Sequence, residues 1–402
     1  MNGVRWKTLL AMSAAALLTA GDWPDWRGPN RDGTSPEKGL PEKWSLGGEN
    51  LAWKAPYGGR SAPIVLGDRL YLENTASSGA TEQERLMCFN ADTGKLLWEY
   101  KFNLYQSDVP AHRVAWASPV ADPETGNVYS FGVNNLLTAL TQDGKKIWER
   151  SITEEFSPFT THGGRTVSPM VDGNLVVVST PTSTWGTMAN RTQRFIALDK
   201  RTGDIVWIST PGGRPYDTSY SAMNIVTVNG MRLLVTGGAD GAALAMKPQT
   251  GEPVWNFVMA KRGLNTGIVA NGKYAIVSHS EENLEGSEMG MLAAIDATGK
   301  GKLAMDSVKW MVKGFMSGFS SPVIDGDRLY QIDNSANLFA FRACETLGDI
   351  VQNDPRHAPP IIPACVGTVD TRVMSLRDNS ALERSGLRID LHTEQNLCAF
   401  PA

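Results

Sequence analysis

The chain has 402 residues, a formal net charge of −4, and 42% hydrophobic against 20% charged residues. That balance belongs to an ordinary globular protein and excludes a global bias toward nucleic acid or an anionic membrane surface. Forty glycines and twelve tryptophans suit an all-β chain with many turns.

Residues 1–21 carry the features of a secretory leader. Arg5 and Lys7 precede an apolar run from Leu9 to Leu18, and Thr19-Ala20-Gly21 offers small residues for cleavage. The apolar run is too short to span a bilayer. No membrane span is therefore expected after its removal, and the mature chain is expected in the periplasm or outside the cell. No cysteine stands at the cleavage site, so a lipid-modified N-terminus is not expected.

Residues 22–50 follow, opening Asp22-Trp23-Pro24-Asp25-Trp26-Arg27-Gly28-Pro29. Proline and glycine exclude regular structure, yet Trp23, Trp26 and Trp44 must dock somewhere. An ordered arm lying across the main fold is expected, with Trp23 and Trp26 as a ligand platform the alternative.

From residue 51 to about 343 a unit repeats. Leu51-Ala52-Trp53-Lys54 reads as the last strand of a unit whose earlier strands are missing. Each later unit opens on a Ser-Pro-like entry: Ser61-Ala62-Pro63, Ser118-Pro119, Ser168-Pro169 and Ser321-Pro322. A glycine turn, an alternating strand and a third apolar strand follow. The unit then closes on a tight turn and a tryptophan, seen best in Ala197-Leu198-Asp199-Lys200-Arg201-Thr202-Gly203-Asp204-Ile205-Val206-Trp207. Asp199 can bond turn amides and Gly203 tolerates a positive φ. Trp98, Trp148, Trp207 and Trp255 end four copies at spacings of roughly 50 residues, the period of a propeller blade. These four are expected to pack between neighbouring blades. The fifth unit, through Leu292-Ala293-Ala294-Ile295-Asp296, shows no tryptophan at the usual distance.

The fold expected is an all-β propeller of four-stranded antiparallel blades, with six clear repeats and an incomplete seventh closed by the N-terminal strand. The repeat stops at Cys344. Residues 344–402 read as an irregular tail, either a diverged last blade or the product of a truncated or frame-shifted gene. Cys88, Cys344, Cys365 and Cys398 form no CxxC and no adjacent pair, which points to neither a redox motif nor a zinc site.

The Ala-Leu-Asp-x-x-Thr-Gly-x-x-x-Trp pattern at 197–207 resembles the tryptophan-docking repeat of pyrroloquinoline-quinone-type propellers. The Asp22–Pro29 arm looks like the start of exported bacterial propellers of that group. The resemblance implies the fold, and it admits both quinone-dependent dehydrogenases and the non-enzymatic scaffold of outer-membrane β-barrel assembly. The dehydrogenases place adjacent cysteines over the quinone and hold calcium with Glu, Asn and Asp; no such set can be matched here. No cofactor is therefore expected, with the quinone and calcium as the alternative.

The loops entering each innermost strand carry a basic residue in every unit: Arg60, Arg113, Arg165, Arg214, Arg262 and Lys313. His112 and His162 stand beside two of them, without an evident third metal ligand. Arg60, Arg165 and Arg214 follow paired glycines that let a guanidinium approach an anion. The reading is an exported, non-catalytic scaffold that binds a protein partner or a small polar ligand through this loop face, and no nucleic acid.

Overall fold

The computed structural model describes residues 21–41, 43, 45, 47–77, 81–104, 109, 113–158, 165–182, 191–326, 328–342 and 374–375. Six antiparallel sheets follow one another along the chain, the arrangement of propeller blades. The first is built from β1 (Ile64–Leu66), β2 (Arg69–Ala76), β3 (Gln83–Asn90) and β4 (Leu96–Asn103). The second comprises β5 (Val120–Ala121), β6 (Val128–Phe131), β7 (Leu136–Leu140) and β8 (Lys146–Ser151). A single helical turn, α1 (Ile152–Phe156), leads on to β9 (Met170–Asp172), β10 (Leu175–Thr182), β11 (Thr192–Asp199) and β12 (Ile205–Ser209). The fourth sheet holds β13 (Asn224–Val228), β14 (Met231–Gly237), β15 (Ala242–Met246) and β16 (Pro253–Val258).

The fifth sheet departs from the pattern. After β17 (Val269–Asn271), β18 (Tyr274–Glu282) and β19 (Met289–Asp296), the chain inserts β20 (Gly301–Lys302) and a 3-10 turn at Met305–Ser307 before β21 (Val308–Lys313). Strand β20 pairs in parallel with β16, so the insertion adds a fifth strand to the preceding sheet. The last sheet has β22 (Val323–Asp325), β23 (Arg328–Ile332) and β24 (Asn337–Arg342), with β25 (Met374–Ser375) at its outer edge. The tail beyond residue 342 otherwise lies outside the described residues, as does the leader.

The turn-and-tryptophan element explains why the sheets pack as they do. Asp199 accepts the amides of Arg201 and Thr202 at 2.8 and 3.0 Å, and Gly203 takes φ 77°. A Cβ on Gly203 would lie 2.7 Å from the Trp148 ring of the previous sheet. The glycine thus supplies both the positive φ and the flat floor on which a neighbour's indole rests. The same seating recurs for Trp98 on Gly144 and Trp207 on Gly251. The indole N–H completes it by donating to the turn: Trp98 to the Gln142 carbonyl at 2.9 Å, Trp148 to that of Lys200 at 3.2 Å. Trp255 is almost fully buried, in one core cluster with Ile295 of the fifth sheet and Ala297 just after it.

Two elements differ from the sequence expectation. Leu51–Lys54 joins no sheet, although Trp53 sits on Gly94 and donates to the Ala91 carbonyl at 2.7 Å. It keeps the docking half of the missing unit and not its strand. The fifth unit does have its tryptophan: Trp310 pairs with Ala294 just as Trp207 pairs with Ala197, and Trp255 with Ala245. The insertion carrying β20 lengthens the sequence interval without moving the strand register.

The Ser-Pro entries tie the inner strands together. Ser118 Oγ accepts the Ala62 amide at 2.8 Å, and Ser168 Oγ accepts that of Ser118 at 2.9 Å. Ser321 Oγ accepts the Gly267 amide at 2.8 Å. Each serine therefore binds the blade before it, while the following proline ends the need for a donor there.

The N-terminal arm lies against these inner strands. Trp23 pairs with Val65, the Pro24 carbonyl accepts Ala121, and Arg31 donates to the Val171 carbonyl. Arg27, buried, donates to the carbonyls of Arg31 and Asp32, and to Pro322 of the sixth sheet at 2.8 Å. One short segment thereby joins sheets one, two, three and six.

Candidate functional site

The inner strands have two ends. The arm touches them at the level of Val65, Ala121 and Val171; the loops that lead into them lie four to six residues upstream, at the opposite end. At that end four successive entry loops meet around Trp116. Arg60, from the loop before β1, places its Cζ 6.0 Å from the Trp116 ring. Arg165, from the loop before β9, stands 5.0 Å from the same ring and 5.6 Å from Tyr220. Tyr220, from the loop before β13, meets Trp116 edge-on at 5.5 Å. Such separations are those of attractive cation–π contacts.

The group is electrostatically loaded. Burial lowers the pKa of Arg165; Tyr220 opposes this, while the like charges of Arg113 and Arg60 lower it further. Burial pushes the Tyr220 hydroxyl up to about 12, against the pull of Arg165. Asp217 also acts on Arg165, but it stands 3.9 Å from Arg262, which pairs in addition with Glu282 at 3.2 Å. The mouth is therefore basic over the first three entry loops and mixed in charge beyond them.

Of the predicted rim, Arg60, Arg113 and Arg165 are brought together. Arg262 is held in ion pairs with carboxylates, and Arg214 and Lys313 are exposed and share none of these ring contacts. His112 and His162 lie outside the described residues. Trp116 and Tyr220, on which the cluster is built, were not singled out by the sequence. Their signal was an aromatic residue a few positions ahead of an entry strand, in a loop with no core of its own to fill.

Beneath the mouth sits a second group that sequence reasoning missed. Glu84 on β3 is 1% exposed and accepts the Ala115 amide at 2.8 Å and the Val133 amide at 2.9 Å. Glu73 on β2 is equally buried and accepts Ser130 Oγ of the second sheet. Burial raises the Glu84 carboxyl to about 7, against the two amide bonds, and holds Glu73 well above the usual carboxylate range, with Glu84 adding to it. Ala115, between Arg113 and Trp116, takes φ 55°, a left-handed conformation that costs a non-glycine residue on the order of 1 kcal/mol.

No group of three His, Cys, Asp or Glu side chains among the described residues is placed to hold a metal ion. Cys88, the described cysteine, is buried in β3. No helix of the described residues is long and apolar enough to cross a membrane.

Comparison with known proteins gives a consistent family. A relative from Burkholderia pseudomallei, outer membrane protein assembly factor BamB, is 27% identical over 202 residues, 49% of this chain and 42% of the relative. The matched stretch thus spans less than half of that protein's length. Among solved structures, BamB from Moraxella catarrhalis is similar with a TM-score of 0.46 at 17% identity, covering 70% of this chain and 69% of the other. Quinohemoprotein alcohol dehydrogenase from Comamonas testosteroni gives 0.45 at 13% identity, covering 82% and 72%. The family profile described as outer membrane protein assembly factor BamB matches residues 82–345, more than half of the sequence and nearly all of the six sheets, and the chain belongs to that family.

Proposed function

We propose that the protein is an exported, non-catalytic propeller scaffold that holds a protein partner, or a polar anionic ligand, on the face carrying Arg60, Arg113 and Arg165. The observation that carries this reading is the meeting of three guanidinium groups and two aromatic rings contributed by four separate entry loops. Aromatic and arginine side chains are the residue types that dominate binding hot spots. The family description, an assembly factor for outer membrane proteins, is in keeping with a protein partner and with a place outside the cytoplasm.

The alternative is a quinone-dependent dehydrogenase. Quinone enzymes of this resemblance need a calcium site and adjacent cysteines, and the residues present do not fit: the sequence has no Cys-Cys, and no three candidate ligands converge among the described residues. Purified protein mixed with the quinone and calcium should show no dye reduction, and turnover would overturn the non-catalytic reading.

The partner reading is tested by crosslinking in the exporting cell, comparing wild type with Arg113→Ala/Arg165→Ala. The pair should lose a salt-sensitive crosslinked species while keeping its melting temperature. Equal capture by both proteins would place the partner elsewhere.

A further inference from the structure

We propose that Arg165 and Glu281 form a two-pole seat at the mouth, taking a ligand that carries a carboxylate and a cationic nitrogen side by side. This rests on the reading that the loop face is the binding face, and it adds the ligand's chemistry and a second, negative pole.

The poles come from different blades and meet around Tyr220. Arg165, from the loop before β9, leans on the Trp116 and Tyr220 rings at 5.0 and 5.6 Å. Glu281 lies near the end of β18, on the fifth sheet. The loop that carries Tyr220 is fastened to that side. The Tyr220 amide donates to Asn265 Oδ1 at 3.3 Å, and the Thr218 carbonyl leaves no room for a side chain on Gly263. Arg262, beside Gly263, ties Asp217 at 3.9 Å to Glu282, the chain neighbour of Glu281, at 3.2 Å. The Tyr220 hydroxyl registers both poles: Arg165 favours its ionised form, while Glu281 and Asp217 oppose it.

Among the described residues, neither pole has a counter-ion of its own. Arg165 is half-buried, and its contacts are ring faces, which attract a guanidinium without neutralising it. Glu281 is half-buried too; its carboxylate accepts no hydrogen bond, and its amide donates to His279 Nδ1 at 3.2 Å. Burial and the like charges of Asp217 and Glu282 hold the Glu281 carboxyl above its usual range, with Arg262 opposing. Burial keeps His279 neutral, its pKa lowered to about 4, so it adds no positive charge to this pole. Drawing a guanidinium and a carboxylate partly out of water without direct partners is costly. A ligand with the matching pair of charges answers both at once. Its carboxylate suits the planar fork of Arg165, and its cation suits Glu281. A ligand with two like charges gains at one pole and is repelled at the other. The mouth therefore selects by pattern of sign rather than by net charge.

Two sources supply that chemistry, a segment of a protein partner and a free zwitterion. The full-length protein is titrated by calorimetry at low salt with γ-aminobutyrate and with four end-blocked tripeptides: Glu-Gly-Lys, Lys-Gly-Glu, Glu-Gly-Glu and Lys-Gly-Lys. A mixed-charge probe should bind saturably, and at least tenfold more tightly than either like-charge peptide. Arg165→Gln should bring the mixed probe down to the level of Lys-Gly-Lys, and Glu281→Gln to that of Glu-Gly-Glu, both at unchanged melting temperature. Should Arg165→Gln melt lower, Glu281→Gln alone decides. Lys302→Ala, on the outer edge, should leave the preference intact. A mixed peptide bound more tightly than γ-aminobutyrate would assign the seat to a partner segment; the reverse would assign it to a free zwitterion. Like-charge peptides binding as well as mixed ones, no binding of any probe, or a preference untouched by Glu281→Gln would overturn the seat. The loop-face reading fails on a different result, equal partner capture by wild type and Arg113→Ala/Arg165→Ala.

Discussion

At the scale of single residues, the docking tryptophans fill the gap between sheets, and Trp53, Trp98 and Trp148 also donate to a turn carbonyl. Trp207 is 8% exposed and rests on Gly251. Trp207→Ala should therefore lower stability by about 3–5 kcal/mol, the range for removing a large buried aromatic. Chemical denaturation measures it; a wild-type midpoint would refute the packing role. Glu73 and Glu84 make a different prediction. An unfolded glutamate loses its proton near 4.5, whereas folded Glu84 loses it near 7. Between those values the folded state holds a proton the unfolded state has given up, so stability falls as pH rises through that window. Glu73, raised as well and facing Ser130 and Glu84, adds to the decline. Melting should be higher at pH 5 than at pH 8, and Glu73→Gln/Glu84→Gln should flatten the difference. Neither carboxylate was legible in the sequence. Glu84 lies in Gln83-Glu84-Arg85, which reads as a solvated strand end, and burial of a polar side chain depends on the neighbouring sheet rather than on local alternation.

At the scale of elements, most of the architecture was legible because each blade announces its own turn. Asp199, Thr202 and Gly203 make their contacts within a few residues, so their spacing alone reports the geometry. Trp310 was missed for the converse reason. Its strand pairing with Ala294 is conserved in three dimensions, but the Gly299–Ser307 insertion breaks the interval in one. If register is what matters, Trp310→Ala should cost as much as Trp207→Ala, about 3–5 kcal/mol. A loss under about 1 kcal/mol would mean that the fifth sheet is held by other contacts. Of the basic residues expected at the rim, Arg60, Arg113 and Arg165 lie together. Arg262 instead meets carboxylates from the fourth entry loop and from strand β18, which local sequence does not reveal because they are distant in the chain.

At the scale of the whole molecule, the sheets form a row that the arm helps to close. Arg27 is the clasp: a buried guanidinium whose donors reach three carbonyls, one of them on the sixth sheet. Burial pulls its pKa down to about 10, with Asp25 and Asp32 resisting. Arg27→Ala would strand those carbonyls and leave Asp25 with Arg31 and the backbone amide of residue 27 as its partners. A loss of about 3–5 kcal/mol is expected, as for other broken buried pairs, together with earlier proteolytic cutting near the N-terminus. Unchanged melting and protease resistance would mean that the sheets hold together without the arm.

The clasp also sets a clock. Arg27 and Pro322 are 295 positions apart, so the residue that fastens the arm is made long before its acceptor. Each blade can pair its strands locally as it emerges, but this contact must wait until the five sheets between the two residues have been made. Loop-closure entropy of that span is met only once, at the last step. Until then the inner strands of the first blade and the sixth lack the segment that joins them. A chain in that state is exposed to edge-to-edge association for as long as the arm remains undocked. Refolding should accordingly show a late phase, seen by the fluorescence of Trp23 and Trp26, that Arg27→Ala abolishes while leaving the earlier phases intact.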